Sequence, residues 1–151
     1  SGRMKDSFCE SEESINENIS KIDNLPDLDG THRVNEFFCR DNNWKYVLQQ
    51  LVVHSDIVLM DFSKFSDQLK GCKYEIEALV NLVPLNRIVF VIDDETVIPF
   101  TQKVFAGAFH LAGKNSVNKA IPLPAITLYK IDKNKDKDVS KLMNLICSKI
   151  E

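Results

Sequence analysis

Two glutamates, Glu75 and Glu77, stand near the start of a helical stretch. Before it lies Asp61-Phe62-Ser63-Lys64-Phe65-Ser66, which carries hydroxyls, two aromatic rings and a cation. A glutamate facing a crevice can stabilise cationic charge developing on a ribose ring as its leaving group departs, because a preorganised charge needs no reorganisation during the reaction. The loop would bring Asp61, Phe62, Ser63 and Phe65 to the mouth of that crevice. Ordinary helix electrostatics also accounts for the glutamates, since acids near a helix N-terminus are stabilised by the macrodipole. Cys72 opens the same helix. A helix start would lower its thiol pKa, but no histidine lies at a spacing that suits a base, and free cysteines more often act as small buried hydrophobes. Asp61 and the pair Asp93-Asp94 each follow an apolar run. Acids at adjacent strand ends could hold a magnesium ion, or could cap loops and helix starts.

Other chemistries find little support. There is no G-x-G-x-x-G, no Walker sequence and no G-x-S-x-G, and glycine totals five, which argues against a Rossmann site, a P-loop or a nucleophile elbow. Cys9, Cys39, Cys72 and Cys147 form no C-x-x-C pair, and His32, His54 and His110 are scattered. No metal site is expected, and the cysteine usage suits a reducing cytosol. The net charge is −3, so no nucleic-acid partner is expected. Lys130, Lys133, Lys135 and Lys137 cluster, but Asp132, Asp136 and Asp138 interleave with them and cancel most of the field, the pattern of a solvated loop. No apolar run reaches the roughly 18 residues of a membrane span. Ser1-Gly2-Arg3 before Met4 reads as a tag remnant, which points to a larger natural protein.

These groups need elements to position them, and 151 residues suffice for one ordinary domain. Residues 4–31 are polar and acidic, with Ile15, Ile19 and Ile22 at helical spacing, which predicts a short amphipathic helix. Pro26, Asp27, Asp29 and Gly30 mark a loop, and Val34, Phe37 and Phe38 predict a short strand. Asp41, Asn42 or Asn43 can cap a helix with Trp44, Val47, Leu48, Leu51 and Val52 inward. Residues 57–60 have the continuous apolar pattern of a strand covered on both faces. Cys72 opens a helix with Ile76, Leu79, Val80 and Val83 inward, stopped by Pro84. Residues 87–92 form the next buried strand. Thr96 can cap a third helix with Pro99 in its first turn and Phe100, Val104, Ala108 and Leu111 inward, closed by Gly113. Residues 125–131 read as a strand after a loop with Pro122 and Pro124. The last helix begins near Asp138 and buries Val139, Leu142, Met143, Ile146 and Ile150. This alternation predicts an α/β three-layer sandwich over residues 32–151, with a mostly parallel central sheet, helices on both faces and a flavodoxin-like layout.

The stretch from Trp44 to Ile92 resembles the middle of TIR domains. It reads N-W-K-Y-V-L-Q-Q-L, then D-I-V-L-M-D-F-S, G-C-K-Y-E-I-E-A-L and R-I-V-F-V-I-D. With N-S-V-N-K-A-I-P-L-P-A-I-T-L-Y further on, it looks most like a TIR-like soluble domain of uncharacterised bacterial multi-pass membrane proteins. That likeness runs from about residue 42 to 131. Gly71 stands where the family usually has tryptophan.

The resemblance implies a TIR-like fold on the cytosolic face of a bacterial inner membrane, with membrane contact only through segments outside residues 1–151. It implies a signalling or interaction module that self-associates and senses a nucleotide. In family members that cleave NAD, the catalytic glutamate maps onto Glu75. NAD is then a ligand or substrate, no other cofactor is required, and Asp61, Phe62, Ser63, Phe65 and Cys72 would line the nucleotide site. A receiver-like metal switch using Asp61 and Asp93 is the third expectation.

Overall fold

Short apolar runs and amphipathic stretches alternate along the chain, and strand and helix alternate with them. Strand β1 is Phe8–Cys9, α1 Glu12–Ser20, β2 Phe38–Cys39, α2 Trp44–Val53, β3 Val58–Asp61, α3 Lys70–Leu82, β4 Ile88–Ile92, α4 Ile98–His110, β5 Thr127–Lys130 and α5 Lys135–Cys147. A 3-10 turn occupies Leu85–Arg87. This computed structural model describes residues 8–9, 11–23, 25–31, 34–63, 65, 70–120, 126–131 and 135–150, and the side chains of all of these except 8, 9, 70, 71 and 135–137. The expected tag remnant, Lys64 and Ser66 of the crevice loop, Pro122 and Pro124 lie outside the described residues.

The chain is mixed α/β. Every strand pairing among the described residues is parallel: β1 with β2, and β3, β4 and β5 in that order. Parallel neighbours need crossover connections, and α3 and α4 supply them in the second sheet. The chain divides into two compact units, Ser1–His54 and Ser55–Glu151. No helix among the described residues is long and apolar enough to cross a membrane.

In the first unit, Ser11 and Ser14 start α1 with a reciprocal capping box. The Ser11 hydroxyl accepts from the Ser14 N–H (3.2 Å), and the Ser14 hydroxyl accepts from the Ser11 N–H (3.0 Å). Ile15 and Val47 are the buried centre of this unit, with Ile19, Phe37, Cys39, Tyr46 and Leu51 packed around them. The predicted helix is present, and Ile22 falls just beyond it. Asn43 holds the cap position of α2, but its Oδ1 accepts from the Arg40 N–H (3.0 Å) and not from the helix.

In the second unit, all five side chains of β4 are buried, as expected of a strand covered on both faces. β3 differs. Met60 is buried, but Leu59 is 49% exposed, so the apolar run at 57–60 is not covered on both sides. An apolar run records strand propensity; which side stays open depends on what packs there. Phe90 projects into a ring cluster. Phe62 stacks on Phe65 at 4.5 Å between centroids and lies 5.0 Å from Phe90, while Phe105 of α4 meets Phe90 edge-on at 4.6 Å. Helix α4 therefore covers the Phe90 face. Leu128 is in register with Phe90, so its neighbour Tyr129 points to the opposite face, where its hydroxyl donates to the Asp138 carbonyl of α5 (3.0 Å).

Two helices are rotated from the predicted stripes. The buried residues of α4 are Thr101, Phe105 and Ala108, while Leu111 is 66% exposed. Thr101 can lie inward because its hydroxyl donates to the Val97 carbonyl one turn back (3.1 Å). Val97 takes the cap position in place of Thr96. On α5 the predicted inner residues Val139 and Met143 are exposed, as is Ile150 beyond its end. Gly107 lies inside α4, and a Cβ added to it would meet nothing within 4 Å. Gly107→Ala should stabilise the protein by about 0.5–1 kcal/mol by restricting the unfolded chain, measurable as a higher urea midpoint with an unchanged slope.

The carboxyl end of α3 is closed by residues from a distant loop. Pro84 has no N–H to give the Val80 carbonyl, four residues before it. The Asn118 Nδ2 (2.8 Å) and the Ser116 hydroxyl (2.9 Å) donate to that carbonyl instead. Asn118 also donates to the Val83 carbonyl (2.7 Å) and accepts from the Leu85 N–H (3.1 Å). The Val117 N–H takes the Asn81 carbonyl (3.1 Å).

Candidate functional site

The carboxyl end of β3 and the first turns of α3 carry the residues that could do chemistry. Asp61 ends β3, and its Oδ1 accepts from the Ser63 N–H (2.8 Å), an Asx turn that directs the chain off the sheet. The Phe62 N–H donates to the Val91 carbonyl (2.7 Å), extending the β3–β4 ladder by one bond. A second turn locks this loop in place. The Thr96 hydroxyl donates to the Phe62 carbonyl (2.9 Å), accepts from the Asp93 N–H (3.0 Å) and lies 2.9 Å from Asp93 Oδ1. The Asp93 carboxylate also accepts from the Glu95 N–H (3.1 Å). Asp61 and Asp93 thus both organise turns. Among the described residues, no three of His, Cys, Asp and Glu gather closely enough to hold a metal ion.

The aromatic residues expected at the crevice are placed elsewhere. Phe62 and Phe65 are each 1% exposed, and their faces are occupied by one another and by Phe90, Phe100 and Phe105. Ser63 is half-buried. Cys72 and Glu75 are also half-buried, one turn apart on α3. Because α3 is the crossover leaving β3, its first turns lie toward the carboxyl edge of the sheet, where open parallel sheets bind ligands. Burial, then the neighbouring Glu75 carboxylate, push the Cys72 thiol up from its ordinary value. This is opposite to the shift expected from a helix start, and it keeps the sulfur protonated rather than nucleophilic. Half-buried Glu77 is bridged to the exposed Lys73 at 4.0 Å, a helical pair one turn apart.

A second concavity lies where a solvated loop is expected. Asp94, Tyr129, Lys130, Ile131, Asp138 and Lys141 line an open cleft of about 490 Å³. Lys130 Nζ and Asp94 Oδ1 meet at 2.6 Å, and Lys141 Nζ approaches Asp138 Oδ1 at 3.9 Å. Asp138 is the residue that composition hides. It sits within a run of alternating charge, yet only 5% of it is exposed. The one sequence signal for it is its place at the start of an amphipathic helix, where a carboxylate suits the dipole.

No protein-family model, curated protein or solved structure matches the chain.

Proposed function

We propose that this chain is a TIR-like, flavodoxin-type α/β domain that works as a signalling and interaction module. In this reading it lies on the cytosolic face of a bacterial membrane, self-associates and senses a nucleotide. Parallel pairing of β3, β4 and β5 through helical crossovers is what such a layout requires. The observation that carries the interaction role is the outer face of α5. Val139 is 58% exposed and Met143 51%, whereas an isolated domain would turn such a stripe inward. Half-buried Ile146 continues this stripe on the same face. A second copy related by a two-fold axis would cover the same stripe on both helices.

Sedimentation velocity across a concentration series tests this. The parent domain should show a concentration-dependent rise in mass that the double variant Val139→Lys, Met143→Lys abolishes without loss of helical signal. A parent domain that stays monomeric at the highest attainable concentration would overturn the self-association.

One observation favours a second reading, NAD glycohydrolysis. Glu75 is half-buried on an early turn of α3, the helix that leaves the carboxyl end of β3, and in this reading its carboxylate would stabilise a developing ribosyl cation. In concentrated protein, nicotinamide release from NAD should fall at least about a hundredfold in Glu75→Ala, the scale of losing one transition-state charge contact. No release from the parent domain, even when oligomerised through a fused coiled coil, would remove the enzyme reading and leave the interaction module standing.

A further inference from the structure

We infer that the loop after α4, residues 111–119, is a docking surface for an anionic lipid membrane. Its side chains are sorted against the usual rule. Ser116 is half-buried and Asn118 is 1% exposed, while Leu111 is 66% and Val117 53% exposed. The polar residues turn inward because the end of α3 needs them, and both donate to the Val80 carbonyl. The same helix end holds the rest of the loop. Asn81 Oδ1 accepts from the Gly113 N–H (2.9 Å), and the Asn81 carbonyl accepts from the Val117 N–H (3.1 Å). The Ser116 N–H donates to the Gly113 carbonyl (3.0 Å) and the Lys119 N–H to the Ser116 carbonyl (3.2 Å). Polar groups thus build the frame, and the apolar side chains of Leu111 and Val117 are presented from it to the outside.

The surroundings are basic although the chain as a whole carries a net charge of −3. No Asp or Glu occurs from Thr96 to Ile131. Lys114 and Lys119 are exposed in the loop, and Lys103 and His110 are exposed on α4. Residues 121–125, which follow, are uncharged in sequence. On α3, the acid one turn before Asn81 is Glu77, and it is bridged to Lys73 on the side toward the helix start. The run of alternating charge begins after Ile131, at the carboxyl edge of the sheet, whereas α3 and α4 end at the amino edge. Aliphatic tips flanked by lysines suit a negatively charged bilayer. The tips enter the headgroup boundary, and each lysine adds attraction to the surface potential. A protein interface anchors on aromatic rings and arginine and is poor in lysine, and single-stranded nucleic acid needs aromatic faces for stacking. The loop contains neither an aromatic residue nor an arginine. This surface lies at the opposite edge of the sheet from Glu75 and on the opposite face from α5, so it goes beyond both readings above.

Flotation at low ionic strength tests this, with vesicles of phosphatidylcholine containing about one-third phosphatidylglycerol compared with phosphatidylcholine alone. The domain should float with the anionic vesicles only, and salt at about 0.5 M should release it. Lys114→Gln with Lys119→Gln should weaken binding about 25-fold, at about fivefold for each lysine. Leu111→Ser with Val117→Ser should weaken it at least about tenfold with the charge unchanged. The urea midpoint of either double variant should stay close to the parent value, because these side chains are on the surface. Absence of flotation with the anionic vesicles would overturn the assignment. So would equal binding to phosphatidylcholine alone, or full binding by the serine variant, which would mark a bare charge effect. Loss of self-association in the serine variant, read by sedimentation velocity, would give the surface to a second copy of this chain and overturn the lipid assignment.

Discussion

Asn118→Ala is expected to lower the unfolding free energy by about 3–5 kcal/mol, the sum expected when several buried backbone groups lose their partners at about 1–3 kcal/mol each. Asn118 is 1% exposed, and its amide makes three bonds to the end of α3 and the turn that follows. The Leu85 N–H and the Val83 carbonyl lose those bonds. The Val80 carbonyl keeps only the Ser116 hydroxyl, because Pro84 cannot provide an N–H. Ser116→Ala, which removes one bond to the Val80 carbonyl and the acceptor of the Asn118 N–H (3.2 Å) but keeps the Asn118 amide, should cost about 1–2 kcal/mol. Asn118→Asp should be worse than either, since an acceptor-only carboxylate would face two carbonyl oxygens. Urea denaturation of the three variants should give this order. A loss below about 1 kcal/mol for Asn118→Ala would mean that water readily replaces the amide and that α3 is not closed from this loop.

Phe62→Ala should destabilise by about 3–5 kcal/mol, the usual cost of truncating a fully buried aromatic ring. Its ring stands close to those of Phe65, Phe90 and Phe105, with centroid distances of 4.5, 5.0 and 5.9 Å. The cavity would open between the sheet and α4. The residue also anchors the loop after β3, since its N–H and carbonyl hold Val91 and Thr96. A residue placed to offer its ring to a nucleotide would behave differently: alanine would lower affinity and leave the midpoint of unfolding in place. Thermal or urea denaturation separates the two outcomes, and an unchanged midpoint would contradict the packing described above.

The sequence determined a good deal by itself. Runs too apolar to face water specified β4 and the inner face of α3, where Ile76, Leu79, Val80 and Val83 are all buried as their spacing requires. Pro84 ended α3, and Pro99 began α4. Parallel pairing followed from the alternation of strand and helix. The place of Glu75 on an early turn of the helix after β3 was legible too. Legibility failed where a residue type serves two environments equally well. Phenylalanine in a loop suits a ligand or a core, and Phe62 and Phe65 belong to the core because Phe90 and Phe105 are there to receive them. Helix α5 has apolar residues around much of its circumference, so periodicity did not decide which ones turn outward.

Tertiary structure decided the rest, because those outcomes depend on partners far away in the chain. Asn118 reads as one polar residue in a loop until its amide is seen to complete a helix end 35 residues earlier. Asp138 reads as part of a solvated charge run until the fold buries it and the Tyr129 hydroxyl of β5 holds its carbonyl. The Cys72 thiol is pushed up, not down, by burial and then by the neighbouring Glu75 carboxylate, neither of which its place in a helix reveals. Local sequence sets what each segment prefers, at roughly a few tenths of a kcal/mol per residue. Burial and the pairing of polar groups, worth several times more at a single position, choose among those preferences, and they are properties of the assembled fold.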